Sequence, residues 1–228
     1  MGRPAIYTDA AEALADMQDG ASIMLGGFSG GPPVLVKALI ERGVRDITLI
    51  ANGTTYFPDR PPVYPPPDRV KKAIVSFPVS GRGGPAPYQV AYEAGEVELE
   101  VVPQGTLAER IRAGGAGIGA FFTPTGAGTL FADGKEVREI DGRQQVLEYG
   151  LKADFALIQA WKADTVGNLI YRFTSRNFHA PMATAARVTI VQVDEIVEAG
   201  ELDPEVIITP GIYVDRIVLA PPEESSNE

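Results

Sequence analysis

The sequence predicts an α/β fold, a largely parallel open sheet with flanking helices and a β-hairpin excursion. Short apolar runs of strand type recur at 22–25, 47–50, 73–77, 153–161 and 188–193. Between the first two lies a helical stripe, and a strand–loop–helix–strand unit of about 30 residues is how parallel strands are joined. Two Asp-Gly pairs, Asp133-Gly134 and Asp141-Gly142, sit between alternating runs and read as hairpin turns.

In chain order, residues 8–18 read as a helix capped by Thr8, with Ala11, Leu14, Ala15 and Gln18 at helical spacing. Asp19-Gly20 turns into the strand 22–25. Residues 33–42 carry Val34, Leu35, Ala38 and Leu39 on one stripe; Pro33 suits a first turn and Gly43 stops the helix. After the strand 47–50, FPDRPPVYPPPD holds six prolines within 58–67, a surface excursion. Strand 73–77, a loop at 80–87 and a short helix at 88–94 ended by Gly95 follow. Glu96, Glu98 and Glu100 alternate with Val97, Leu99 and Val101, which places three carboxylates on one face, read as solvated rather than as a metal ladder. Thr106-Leu107-Ala108-Glu109 has the form of a capping box, with Thr106 as N-cap. A second glycine-rich segment runs from 114 to 129, and 181–186 suits a short helix before the strand 188–193. Residues 1–220 read as one domain and 221–228 as a disordered tail.

Composition narrows the function. The 228 residues are 45% hydrophobic and 22% charged, with a net charge of −10 spread along the chain. That balance speaks against a nucleic-acid partner, because phosphate neutralisation needs a basic patch. Without a cysteine there is no disulfide, thiolate nucleophile or cysteine-ligated zinc. No apolar run reaches the ~18 residues of a membrane span, and no signal segment is visible. Ile6 stands where a myristoylation site wants Ser or Thr. The expectation is a cytoplasmic enzyme, or one chain of such an enzyme, with no metal and no membrane contact.

The stretch LGGFSGGPP (25–33) is the candidate site. A dinucleotide fingerprint would need glycine where Phe28 stands, and a phosphate loop of the Walker type would need Lys and Ser or Thr where prolines stand. Glycines at a strand's C-terminal end that feed a helix let backbone N–H groups face a ligand at close approach. In an open α/β sheet that end is where ligands bind. Two readings stay open on spacing alone: an anion-holding loop, or a tight turn without a ligand.

A resemblance says more. IMLGGF, ALIERGVRDITLIAN, PQGTLAERIRAGGAG, FFTPTGAGT, ADFALIQAWKADTVGNLIYRFTSRNF and VDEIVEAGELDPEVIITPGIYVDRI, in that order, resemble the α subunit of a family I CoA-transferase, of the short-chain acyl or 3-oxoacid type. The resemblance implies that CoA moves between a short-chain acyl-CoA (3-oxoacyl, acetyl, butyryl or succinyl) and a carboxylic acid, with coenzyme A as substrate and no further cofactor. It implies a ping-pong route through a glutamyl-CoA thioester, the glutamate lying in a Ser-Glu-Asn-Gly motif of the β subunit. This chain has no Glu-Asn-Gly; Ala51-Asn52-Gly53 is the nearest feature, so no catalytic residue is assigned here. The resemblance assigns the CoA-binding and oxyanion loop to Gly26, Gly27, Phe28, Ser29, Gly30 and Gly31, with Pro32 as the following proline. The loop is shorter here than the family's G-G-F-x-x-x-G-x-P. The implied partner is a β subunit, in an α2β2 heterotetramer.

Other residues carry two readings each. Asn52 is a turn residue or an active-site amide facing the partner's glutamate. Arg176 and Asn177 serve the interface between chains or touch substrate. The lone histidine, His179, is read as structural, and 114–119 as packing or as a phosphate loop. One rival function is that of a CoA-transferase-like acyl-CoA hydrolase subunit. The other is a non-catalytic module sensing acyl-CoA or a sugar phosphate.

Overall fold

The computed structural model describes residues 2–28, 31–54, 62–78 and 85–221. In its first half, β1 (Ala5–Tyr7) and α1 (Ala10–Ala13) lead into β2 (Ser22–Leu25), α2 (Pro33–Arg42) and β3 (Ile47–Gly53). Next come β4 (Val70–Phe77), α3 (Pro87–Glu93), β5 (Glu98–Val101) and α4 (Gln104–Gly115). A small antiparallel sheet follows, made of β6 (Ala120–Thr123), β7 (Val137–Ile140) and β8 (Arg143–Tyr149). The chain closes with β9 (Ala153–Asp164), β10 (Leu169–Ile170), α5 (His179–Thr184), β11 (Ala186–Val197) and β12 (Arg216–Leu219).

Among the described residues the main sheet has nine strands. Its order is β1-β12-β11-β9-β2-β3-β4-β5, with β10 antiparallel against β9. Every other pair is parallel. The expected architecture is therefore present, and the hairpin excursion is the small sheet β6-β8-β7. Its tight turn is Asp141-Gly142, both at positive φ (51° and 72°), as a two-residue hairpin of right-handed twist requires. Asp133-Gly134 is a different turn. Asp133 has φ −61° and ψ 128°, Gly134 has φ 73°, and Lys135 N–H donates to the Ala132 carbonyl, so it ends a 3-10 turn before β7.

Strand alternation explains how both faces are filled. Ile23, Leu25, Leu49, Ala51, Ala73, Val75, Phe155 and Leu157 face the helices α1, α2 and α3. Met24, Ile50, Ile74, Ala156 and Ile158 face α4 and α5. A parallel sheet with helices on both sides reads as near-continuous apolar strands for this reason. On α2, Leu35, Val36 and Leu39 are fully buried, each stabilising the fold by about 1.5–3 kcal/mol. Gly43 ends that helix in the left-handed conformation, φ 74°.

Three local expectations change. The first helix spans 10–13, and its cap is Asp9, whose carboxylate accepts from Ala11 N–H. The capping box does not form. α4 starts at Gln104 with Pro103 as N-cap, and the Thr106 hydroxyl is buried without a partner while Glu109 pairs with Arg112. The glutamates of β5 are not simply solvated either. Lys72 bridges Glu98 and Glu100 at 2.8 and 2.9 Å, and Arg110 joins Glu100 at 2.7 Å. Arg110 also donates to the Tyr149 carbonyl and lies 3.7 Å from buried Glu148, which holds Lys135 at 2.6 Å. These ion pairs tie the small sheet to the main one. The expected disordered tail lies almost wholly outside the described residues, as do residues 58–61 of the proline-rich excursion.

Candidate functional site

Neighbours β2 and β9 are where the sheet order reverses. From β2 the chain goes outward through β3, β4 and β5; from β9 it goes the other way through β11 and β12. The crevice at the C-terminal ends of two such strands is where open α/β sheets bind ligands. The glycine run leaves β2 at that point, immediately after Leu25, which pairs with Leu157 of β9.

Each described glycine of the run has its own physical reason. Gly26 N–H donates to the Leu157 carbonyl at 2.9 Å, and a Cβ at Gly26 would lie 2.2 Å from His179 Nδ1. Gly27 has φ 115°, a backbone state that side chains make costly. Gly31 N–H donates to the Val63 carbonyl, and its Cβ would press on Val36 Cγ2 at 2.9 Å. Phe28 stands out from the loop, 55% exposed. Ser29 and Gly30 lie outside the described residues.

The helix that follows is not an open anion trap. Pro32 and Pro33 have no N–H, and Val34 N–H is taken by the Gln192 side chain of β11 at 2.9 Å. Leu35 N–H, in the first turn of the helix, and in the loop itself the N–H groups of Gly27 and Phe28 have no acceptor among the described residues.

Asn52, at the end of β3, is 2% exposed and holds the loop from the side. Its Nδ2 donates to the Phe28 carbonyl at 2.7 Å, and its Oδ1 accepts from Gln104 Nε2 at 2.7 Å. One amide therefore joins the loop, a strand end and the first residue of α4. Arg176 and Asn177 are not brought to the loop by any described hydrogen bond; Asn177 caps its own neighbourhood through Phe178 N–H. The second glycine segment packs rather than cradles, since Cβ atoms at Gly114 and Gly115 would collide with Leu151 and Thr184.

His179 is buried beside the loop, 5% exposed. Its Nδ1 accepts from Gln159 N–H at 3.0 Å, which places the ring proton on Nε2. Burial pushes its pKa from 6.5 down to about 4. The Tyr171 ring stacked on it stays neutral throughout, its phenol pushed up to about 12 by burial. The unfolded chain therefore binds a proton between pH 6.5 and 4 that the folded chain refuses. Stability is full above that window and falls as pH drops through it, by about 3 kcal/mol from this group. Urea midpoints of wild type and His179→Asn across that range should diverge, with the mutant's slope shallower by one proton; parallel slopes would contradict a neutral, buried imidazole.

Sequence reasoning missed Gln104, Gln159 and Gln192. Gln192 had a signal, a single amide buried inside the apolar strand run VTIVQV, where a polar group persists only with a partner. Gln159 acts through its backbone N–H, so its residue type carried none. The hydrogen-bond partners of the described loop residues are Leu157, Val63 and Asn52, and the side chains nearest the Cβ positions of Gly26 and Gly31 are His179, Val36 and Leu25.

Residues 7–220 match the family described as Coenzyme A transferase. The chain is 52% identical over 214 residues to the A-type chain of 3-oxoadipate CoA-transferase, a named subunit from Pseudomonas putida, covering 93% of this chain and 92% of that one. It is 42% identical over 242 residues to the mitochondrial succinyl-CoA:3-ketoacid coenzyme A transferase 2A of Mus musculus, covering 97% of this chain and 46% of the mouse protein. In fold it is similar to glutaconate coenzyme A-transferase from Acidaminococcus fermentans, with a TM-score of 0.79 at 22% identity, over 95% of this chain and 75% of that one.

Proposed function

The chain belongs to the coenzyme A transferase family, and on that premise we propose that it is the α subunit of a heteromeric 3-oxoacid CoA-transferase. In this reading it holds a short-chain acyl-CoA while a second subunit supplies the nucleophile. The observation that supports it most directly is the glycine loop at the sheet's switch point. Two backbone donors there, on Gly27 and Phe28, have no hydrogen-bond acceptor among the described residues.

The chemistry then divides between two chains. A glutamate carboxylate of the partner attacks the thioester carbonyl, the C–S bond breaks, and CoA leaves as thiolate with the acyl group on a mixed anhydride. The thiolate attacks the glutamyl carbonyl of that anhydride, releasing the first carboxylic acid and leaving a glutamyl-CoA thioester. The acceptor acid attacks that thioester, a second anhydride forms, and CoA thiolate takes the new acyl group, regenerating the glutamate. Splitting the exchange avoids direct attack on an unactivated carboxylate. Each addition develops an oxyanion, and preorganised N–H groups such as those of Gly27 and Phe28 stabilise it without reorganising. Asn52 serves by holding the Phe28 carbonyl, which anchors the loop at a residue that carries one of these two N–H groups.

Two further observations support a partner. The Pseudomonas putida relative is named as a subunit, and the mouse relative carries more than twice this chain's match in one polypeptide. Phe28 after β2, Phe77 at the end of β4 and Val101 at the end of β5 are exposed apolar side chains at the same C-terminal edge of the parallel sheet as the loop, and such material suits an interaction site. We assign an α2β2 assembly.

The test is a transfer assay with succinyl-CoA and a 3-oxoacid. The purified chain is expected to give no transfer, and the chain co-expressed with a β subunit bearing Ser-Glu-Asn-Gly to give full turnover. Transfer by the chain alone, or release of free CoA without acceptor dependence in the pair, would overturn the proposal. Light scattering of the pair should show a mass of four chains.

A further inference from the structure

We propose that His179 is a positioning residue for the glycine loop: its imidazole replaces the next rung of the β2–β9 ladder and so turns the chain out of the sheet at Gly26. The proposal rests on the loop being the CoA-side element of a transferase.

The ladder geometry carries it. In a parallel pair, a residue on one strand donates to its partner strand and accepts from the residue two further along. Gly26 N–H donates to the Leu157 carbonyl, so the continuing ladder would have Gln159 N–H donate to the Gly26 carbonyl. Gln159 N–H donates to His179 Nδ1 instead, at 3.0 Å. The pairing of β2 with β9 ends at Leu25, while β9 itself runs on to Asp164. The imidazole thus supplies the acceptor that a longer β2 would have supplied.

The same ring sets the position of the departing chain. The three atoms nearest a Cβ built on Gly26 are all in the imidazole: Nδ1 at 2.2 Å, Cε1 at 2.9 Å and Cγ at 3.0 Å. The ring therefore lies against the Gly26 backbone with no room for a side chain. It is itself held, since Tyr171 stacks on it at 6.3 Å between centroids and 20° between planes, and the Tyr171 hydroxyl is hydrogen bonded to Thr209 at 2.7 Å. Gly27 and Phe28 follow directly, so the angle at which the chain leaves β2 at Gly26 constrains the peptide planes that carry their N–H groups.

The experiment uses the full chain co-expressed with its β subunit. It compares His179→Asn, His179→Ala, Gly26→Ala and the double variant Gly26→Ala/His179→Ala. Two readouts are taken: kcat and KM for succinyl-CoA transfer, and amide hydrogen exchange in the peptide covering 26–31. His179→Ala is expected to lower kcat/KM by about tenfold to a hundredfold, as for a loop misplaced by an ångström. Exchange in 26–31 should rise while that in β3, β4 and β12 stays native. His179→Asn, whose side-chain carbonyl can accept from Gln159 N–H, should recover most of the loss. Gly26→Ala should be impaired, and removing the ring in the double variant should restore activity above Gly26→Ala alone. Native exchange at 26–31 in His179→Ala overturns the proposal, as does loosening spread over the whole sheet. So does a double variant no better than Gly26→Ala. Should His179→Ala fail to fold, exchange in Gly26→Ala against Gly26→Ala/His179→Asn reads the same contact, with relief in the second expected and equal exchange overturning the proposal. If the wild-type pair transfers no CoA, the transferase reading fails, and the exchange pattern still decides whether His179 positions the loop.

Discussion

Gly27→Val is expected to cost the assembled transferase about a hundredfold to a thousandfold in kcat, the range seen when one oxyanion donor is displaced. Two effects act together. The backbone at this position has φ 115°, which a β-branched residue does not adopt without strain, so the peptide rotates toward a permitted angle. The N–H groups of Gly27 and Phe28 rotate with it. Strain of this kind amounts to about 1–3 kcal/mol, which the rest of the domain absorbs without unfolding. The damage should therefore be large in kcat, while the melting temperature falls by about 2–12 °C and the fold is kept. Steady-state kinetics and thermal melts of the same preparation separate the two. A folded Gly27→Val enzyme with native kcat would reduce the loop to a turn without a chemical task.

Gly114→Ala is expected to destabilise the chain by about 3 kcal/mol, against what helix propensity alone says. Gly114 lies in the last turn of α4, where alanine would ordinarily stabilise by about 1 kcal/mol. Its missing side chain is where the backbone of another segment passes. A Cβ there would stand 1.8 Å from the Leu151 carbonyl oxygen and 2.6 Å from its carbon. Leu151 cannot retreat cheaply, because its N–H donates to the Arg110 carbonyl of the same helix at 2.7 Å. Gly150, the neighbour of Leu151, is packed as tightly, its Cβ position 2.6 Å from the Ile118 carbonyl and 3.0 Å from Gly114 N. Backbone against backbone leaves no rotamer to relax, so the steric cost wins. Gly105→Ala in the first turn of the same helix is the control. Nothing lies within 4 Å of its Cβ position, and it should be neutral or stabilising by up to about 1 kcal/mol. Urea unfolding of the two variants checks the contrast; equal midpoints would show that the close approach at Gly114 is not maintained.

Much of the scaffold was legible because its signals are local. The boundaries of α2 at 33 and 42 follow from a proline that suits a first turn and a glycine that takes φ 74°. The strand at 22–25 and the one beginning at 47 were visible as apolar runs, and the parallel class followed from the helix between them. The position of the glycine loop at a strand's end was likewise readable. Local signals also misled. Thr106 and Glu109 have the spacing of a capping box, but Pro103 ends the preceding segment and the helix begins earlier, which buries Thr106 inside the first turn. Thr8 lost its cap to Asp9 for a similar reason, a carboxylate one residue on that reaches Ala11 N–H.

The sequence by itself determined the family, the α/β class, the site of the loop and the lack of the Ser-Glu-Asn-Gly motif in this chain. Which atoms hold that loop was decided by the tertiary structure alone. Gln192 meets Val34 across 158 positions of sequence, and Gln104 meets Asn52 across 52. His179 reaches Gly26 because the start of α5 meets the end of β2 and the middle of β9, a contact with no periodicity or spacing to announce it. Hydrogen-bond partners of this kind are set by which strands become neighbours. Here the order β11-β9-β2-β3 places distant segments side by side. Local propensity fixes where an element begins and ends; only packing fixes what stands next to it.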